Sequence, residues 1–205
     1  MKYLILFLSF IFFVPVLSAK KPCVDDCKVE IDQSKTPEGR IKAFQQLVKL
    51  KVKKKMSKFQ RNNFYLQLKQ YFAFEIMAKA ALYKTWNKIN AEQKQKYVQL
   101  FTKMIQNSYT KKLQKHKKYK ISFKNRKIIG KRAKLTTTLN KVNGKREDQI
   151  TVAYKMLKTS SEWKVYDVVT DEVSLIRNYR STYVRLINKG GFPKVIKYLE
   201  KVVKN

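Results

Sequence analysis

Near Tyr119 the hydrophobic period of this chain changes from helical to two-residue, and after Thr170 it changes back. That double switch restricts the fold more than any single motif, because a strand pattern cannot be laid on a helix or the reverse. Before the switch, Thr36 as N-cap with Pro37 in the first turn opens a helix whose apolar face is Ile41, Phe44, Leu47 and Val48. A second helical stretch over 58–84 carries Phe64, Leu68, Phe72, Met77 and Ala81. A third begins at Asn90, with Gln93 as its capping-box partner, and ends near Leu113. The segments 118–129, 133–142, 148–157 and 162–170 then read as four strands rich in β-branched and aromatic residues. Asn143-Gly144 is a two-residue hairpin signal between the second and third. After Thr170, Val173, Ile176, Tyr179, Tyr183 and Ile187 restore the helical period up to a stop at Gly190-Gly191, and a short last helix uses Val195, Ile196, Leu199 and Val202.

Helices, a four-stranded antiparallel meander, then helices define an α+β domain. The expected architecture is a twisted antiparallel sheet of about four strands packed against several helices, enclosing a deep apolar cavity. Composition decides whether such a core is attainable against a net charge of +33, from 47 Lys and Arg and 14 Asp and Glu. With 44% hydrophobic residues, 5 Gly and 4 Pro it is, and disorder is excluded. Two Cys exclude a disulfide-rich scaffold.

The N-terminus reads as an export signal at 1–19: Lys2, an apolar stretch from Tyr3 to Leu17, and small Ala19 at the cleavage position. The stretch is short for a membrane span and contains Pro15. A flexible arm at 20–35 follows, then a single domain at 36–205. Cys23 and Cys27, in CVDDC, are a disulfide candidate in an exported chain; a metal site there lacks further ligands.

The excess charge lies from Gly39 onward, and only eight of the basic residues are Arg. Base readout favours Arg, and no nucleic-acid-binding motif is present, so no nucleic acid partner is expected. The lysines suit either an anionic surface or a simply well-solvated exterior. Ser174, Asp167 and His116 supply triad residue types without a nucleophile-elbow glycine pattern, and no phosphate-cradling glycine loop exists. No catalytic residues, metal or cofactor are expected, and the chain is read as a non-enzyme.

Two stretches carry a resemblance. Trp163-Lys164-Val165-Tyr166-Asp167, followed by Ser174-Leu175, Asn178, Tyr179 and Arg180, resembles the MlaC family of periplasmic phospholipid-binding proteins, also called toluene-tolerance auxiliary proteins. Phe74, Glu75, Ala78, Leu82, Trp86, Gln93, Phe101 and Tyr109 fall at the places of that family's other characteristic stretch. Family members usually carry Gly where Tyr83 and Glu172 stand here.

The resemblance implies a soluble, monomeric carrier in the periplasm with phospholipid as cargo. Its partners would be an inner-membrane ABC transporter with an MCE-domain subunit and an outer-membrane lipoprotein–porin complex. The inward faces together with the resemblance select the lining of the apolar cavity as Phe72, Phe74, Met77, Ala81, Phe101, Ile105, Leu135, Leu139, Ile150, Val152, Tyr154, Val165, Val173, Ile176 and Tyr179. Asp167, Asn178 and Arg180 are expected to form a strand–helix polar network. The rival reading is an exported basic adaptor that binds anionic membrane surfaces or acidic proteins and encloses no ligand.

Overall fold

The computed structural model describes residues 35–116, 119–142, 149–160 and 162–204. The export signal, Cys23, Cys27, the arm before Lys35, the Asn143-Gly144 turn and the side chain of His116 lie outside the described residues.

Helix α1 (Pro37–Lys51) starts at an extended Thr36, whose hydroxyl accepts the Gly39 N–H at 3.0 Å. Ile41, Phe44, Leu47 and Val48 form its buried stripe. The expected single helix over 58–84 is divided. Helix α2 (Lys58–Tyr71) opens with a reciprocal capping box, Ser57 hydroxyl to Gln60 N–H and Gln60 carbonyl to Ser57 N–H. It ends because the Ala73 N–H turns outward and donates to the Val165 carbonyl at 2.9 Å, beside a parallel bridge between Phe72 and Val165. Phe72 and Phe74 are both buried, and residues two apart share a face on extended backbone but not on a helix. Helix α3 (Phe74–Leu82) follows, then a 3-10 helix (Tyr83–Lys88). Asn90 and Gln93 exchange side-chain to backbone hydrogen bonds at 2.8 and 3.1 Å to start α4 (Ala91–His116), which runs one turn past the expected end at Leu113.

Five strands lie among the described residues: β1 (Tyr119–Ile129), β2 (Arg132–Lys141), β3 (Ile150–Lys158), β4 (Trp163–Thr170) and β5 (Val173–Ser174). They form one antiparallel meander in chain order. The last is the pair that the sequence assigns to a helix start. β1 is an edge, and its second half is fully exposed. β4 carries an irregularity opposite Lys155 and Met156, after which Asp167 and Val168 are both buried, on opposite faces. The free side of β4 is covered at one end by β5 and at the other by Phe72 and Ala73.

Helices α1, α2, α3 and α5 (Leu175–Lys204) all approach β4, while α4 packs on α3 and α5. Helix α5 is interrupted at the expected Gly190-Gly191, where Gly191 takes φ 71° and Pro193 enters the next turn. Rings lock the helical layer: Tyr97 lies about 6 Å from Phe101, Tyr183 and Phe192, and its hydroxyl donates to the Ala78 carbonyl. Arg40 joins α1 to the α2 end and to β4 by bonding Gln70 O and Glu162 while lying over the Tyr71 ring.

Tyr83 and Glu172, the two positions where the resemblance implies Gly, both have positive φ, 56° and 66°. With Asp171 at φ 46°, Glu172 makes a two-residue turn with both central residues at positive φ, the geometry that Asp-Gly fits best. Glu172 is exposed, so its replacement removes strain and little packing. Glu172→Gly is expected to stabilise the fold by about 0.5–1 kcal/mol, read as a higher urea midpoint at unchanged slope. A lower midpoint would show that the turn carries no strain.

Candidate functional site

The junction of β4 and α5 is built around one carboxylate. Asp167 is buried, and its two oxygens accept from Ser174 Oγ at 2.8 Å, Ile176 N at 3.2 Å and Lys155 Nζ at 3.0 Å. Ser174 Oγ in turn accepts the Arg177 N–H at 3.1 Å, which makes it the N-cap of α5. The Ser174 and Asp167 pairing is therefore a helix cap joined to a strand. Arg180, one turn further on, donates Nε and a terminal nitrogen to the Ala80 carbonyl at the end of α3, and lies 4.6 Å from the Tyr83 ring. It satisfies a carbonyl that α3 leaves open and holds the strained Tyr83 in place. The expected single network of Asp167, Asn178 and Arg180 is instead two separate sets of bonds, one at Asp167 and one at Arg180, and Asn178 is exposed and contributes only its backbone carbonyl, to Thr182.

The expected lining residues separate by depth. Met77, Ala81, Phe101, Ile105, Leu135, Val152, Val165 and Ile176 are buried in one continuous apolar core. Leu139, Ile150 and Tyr179 are half-buried against it. Val173 is corrected: it stands 63% exposed on β5, because the tight turn at 171–172 sends Ser174 inward and Val173 out. Tyr154 and Leu139 reach a pocket of about 70 Å³ between the sheet and helices α1 and α4, closed by Phe44, Val48, Leu113 and Tyr119. A pocket of that size holds no acyl chain, so at this seam the walls stand in contact. Phe72 and Phe74 instead border an open groove of about 880 Å³ between α2, α3 and α4, lined also by Leu66, Ile76 and Val98 and by Lys69, Lys103 and Lys164.

Sequence reasoning omitted Phe44 and Leu113 from the lining. Tyr109 shares a buried phenolic cluster with Tyr154 and Tyr179, close enough for their charges to interact with one another and with Asp167. Burial is the main cause that pushes all three phenols up, and Ser108 beside Tyr179 opposes it there. Tyr97 and Tyr183 are likewise raised by burial. Among the described residues no group of three or more His, Cys, Asp or Glu is placed to hold a metal, and no helix is long and apolar enough to cross a membrane.

The architecture is shared with a solved lipid-bound protein. The structure of a phospholipid-binding protein from Ralstonia solanacearum, in complex with a phospholipid, superposes with a TM-score of 0.65 over 81% of this chain and 96% of that one, at 18% identity. The model of the MlaC protein family matches residues 40–201. The intermembrane phospholipid transport system binding protein MlaC of Haemophilus influenzae is 26% identical over 133 residues, which is 64% of this chain; the match spans 62% of that relative's length. The chain belongs to the MlaC family.

Removing the Asp167 carboxylate strips partners from a strand, a helix start and a lysine at once. Asp167→Ala is expected to cost about 3 kcal/mol, against about 1 kcal/mol for Ser174→Ala, both read from urea unfolding. Equal losses would show that Asp167 acts through the Ser174 cap alone.

The buried phenols make stability fall in alkali. Their folded pKa values lie above the unfolded value of about 10, so their contribution is complete below that pH and is lost as pH rises above it. A phenolate absorbance titration should show exposed tyrosines ionising first, and Tyr97, Tyr109, Tyr154 and Tyr183 only together with loss of the near-UV circular dichroism. One smooth wave with the fold intact would contradict their burial.

Proposed function

We propose that this chain is a soluble periplasmic phospholipid carrier, which takes acyl chains between its sheet and its helices and shuttles lipid between the outer and inner membranes. The observation that carries the reading is the seam between β1–β3 and helices α1 and α4. There Phe44, Val48, Leu113, Leu139 and Tyr154 meet around a small pocket, while the close approaches of the helices are concentrated on β4. Separation of the sheet from α1 and α4 about a β4 hinge would widen this pocket without breaking the Asp167 junction or the contacts of Phe72 and Ala73.

Family membership supports this reading, as do the name of the Haemophilus influenzae relative and the phospholipid in the Ralstonia solanacearum structure. Each buried methylene supplies roughly 0.8 kcal/mol, so two acyl chains give ample affinity with no head-group contact. The expected residues Ile105, Leu135, Leu139, Ile150, Val152, Tyr154 and Tyr179 would line the widened space, with Tyr109 and Leu113 added. Cargo would pass to an inner-membrane ABC transporter with an MCE-domain subunit and be exchanged with an outer-membrane lipoprotein–porin complex. Signal-directed export would place the protein between them. On this reading the chain binds no cofactor and carries out no reaction.

Native mass spectrometry of protein purified without detergent tests the reading. A bound mass matching phospholipid and surviving high salt is expected, and Leu139→Lys, at the half-buried mouth of the seam, should lose at least nine-tenths of it with melting still cooperative. A clean apo mass after incubation with liposomes would transfer the assignment to the basic-adaptor reading.

A further inference from the structure

A second groove lies further along α4. The loop between α1 and α2, the start of α2, one face of α4 and the last turn of α5 enclose a groove of about 710 Å³. Lys54, Lys55, Arg61 and Lys204 line it, and none of its described lining residues is a carboxylate. The larger groove between α2, α3 and α4 differs in both respects, since Glu75 stands among its lysines and its lining is dominated by apolar side chains. Four exposed cations on one concavity, with no acid among its described lining residues, focus positive potential there beyond the general charge of the surface.

The walls are set before any ligand arrives. Gln114 Nε2 donates to the Lys53 carbonyl at 2.8 Å and pins the loop that carries Lys54 and Lys55. The Tyr65 hydroxyl donates to Asn107 Oδ1 at 2.9 Å, which commits the amide oxygen and leaves the amide N–H groups of Asn107 as donors. Gln106 Nε2 donates to the Tyr65 carbonyl at 3.1 Å, so α2 and α4 are fixed to each other at this point. The groove therefore offers a planar guanidinium, three ammonium groups and an oriented amide, which together suit a tetrahedral oxyanion with several acceptor atoms.

From this geometry we infer that the groove is a binding site for a phosphate group. Two sources share that chemistry: the head group of a phospholipid and free inorganic phosphate. Met56, Val202 and Val203 give the groove an apolar side on which the glycerol end of a lipid would rest. Ser108, which also lines it, hydrogen-bonds the Tyr179 phenol, so the groove lies beside the phenolic cluster. The phosphate site stands on its own geometry; only the head-group source rests on the carrier reading.

The test compares the protein with two variants that each lose three positive charges. Lys55→Gln/Arg61→Gln/Lys204→Gln removes cations from the groove, and Lys124→Gln/Lys127→Gln/Lys131→Gln removes exposed cations from the region of β1 and its turn. Calorimetric titration with inorganic phosphate, at ionic strength held constant with chloride, should give saturable binding that weakens at least tenfold in the groove variant and less than twofold in the control. No saturable binding, or equal weakening in both variants, overturns the proposal. A second arm loads fluorescent phosphatidylglycerol or a diacylglycerol with the same chains. Loss of loading for phosphatidylglycerol alone in the groove variant identifies the head group as the source. Unchanged loading of both, with phosphate binding lost, identifies free phosphate. Cooperative melting of each variant confirms that the fold is retained.

Discussion

The carboxylate of Asp167 ties the sheet at β3, β4 and β5 to the start of α5. Its oxygens bind a lysine from the neighbouring strand, a serine from β5 and the Ile176 N–H in the first turn of the last helix. A buried acid is costly unless every lone pair is occupied, and here partners come from three elements at once. The orientation of α5 follows from this junction, and with it the reach of Arg180 to the end of α3. The helical layer is thus hung from the sheet at β4.

On the proposed carrier reading, that arrangement divides the interior into a fixed side and a movable one. Around β4 the core is sealed by Val165, Val168 and Trp163 and by the backbone bond from Ala73. Toward β1 the same apolar faces are only half covered, as Ile121, Phe123, Leu139 and Ile150 show. Packing of this kind opens at modest cost, because the groups exposed on opening are already partly solvated. A carrier needs such asymmetry: a rigid spine to survive each cycle, and a loose margin through which apolar cargo enters.

Much of the fold was legible in the sequence because its signals are local. The change of period at Tyr119, the caps at Thr36 and Asn90, and the glycine pair at 190–191 act within a few residues, and the structure places elements accordingly. The break at Ala73 was not legible, since its cause is a carbonyl of Val165 some ninety residues away. Val173 was misplaced for a related reason: helical spacing continues through it, but the turn at Asp171 and Glu172 sets its direction. Alternation named Leu139, Val152 and Tyr154 as inward residues, yet direction is not depth. Which of them border open space depends on how closely α1 and α4 approach, and no local pattern encodes that distance.

The exposed half of β1 bears on the life of the protein in a crowded compartment. An unpaired strand edge is a template for another chain, and the first contact between two such edges leads readily to fibrils. Here the second half of that edge carries the exposed Lys124 and Lys127, while Arg126 between them pairs with Glu38 of α1 at 3.3 Å. Two copies that drift together must bring these cations face to face before their backbones can pair. The surplus of lysine thereby keeps molecules apart at a margin where the sheet would otherwise continue to grow.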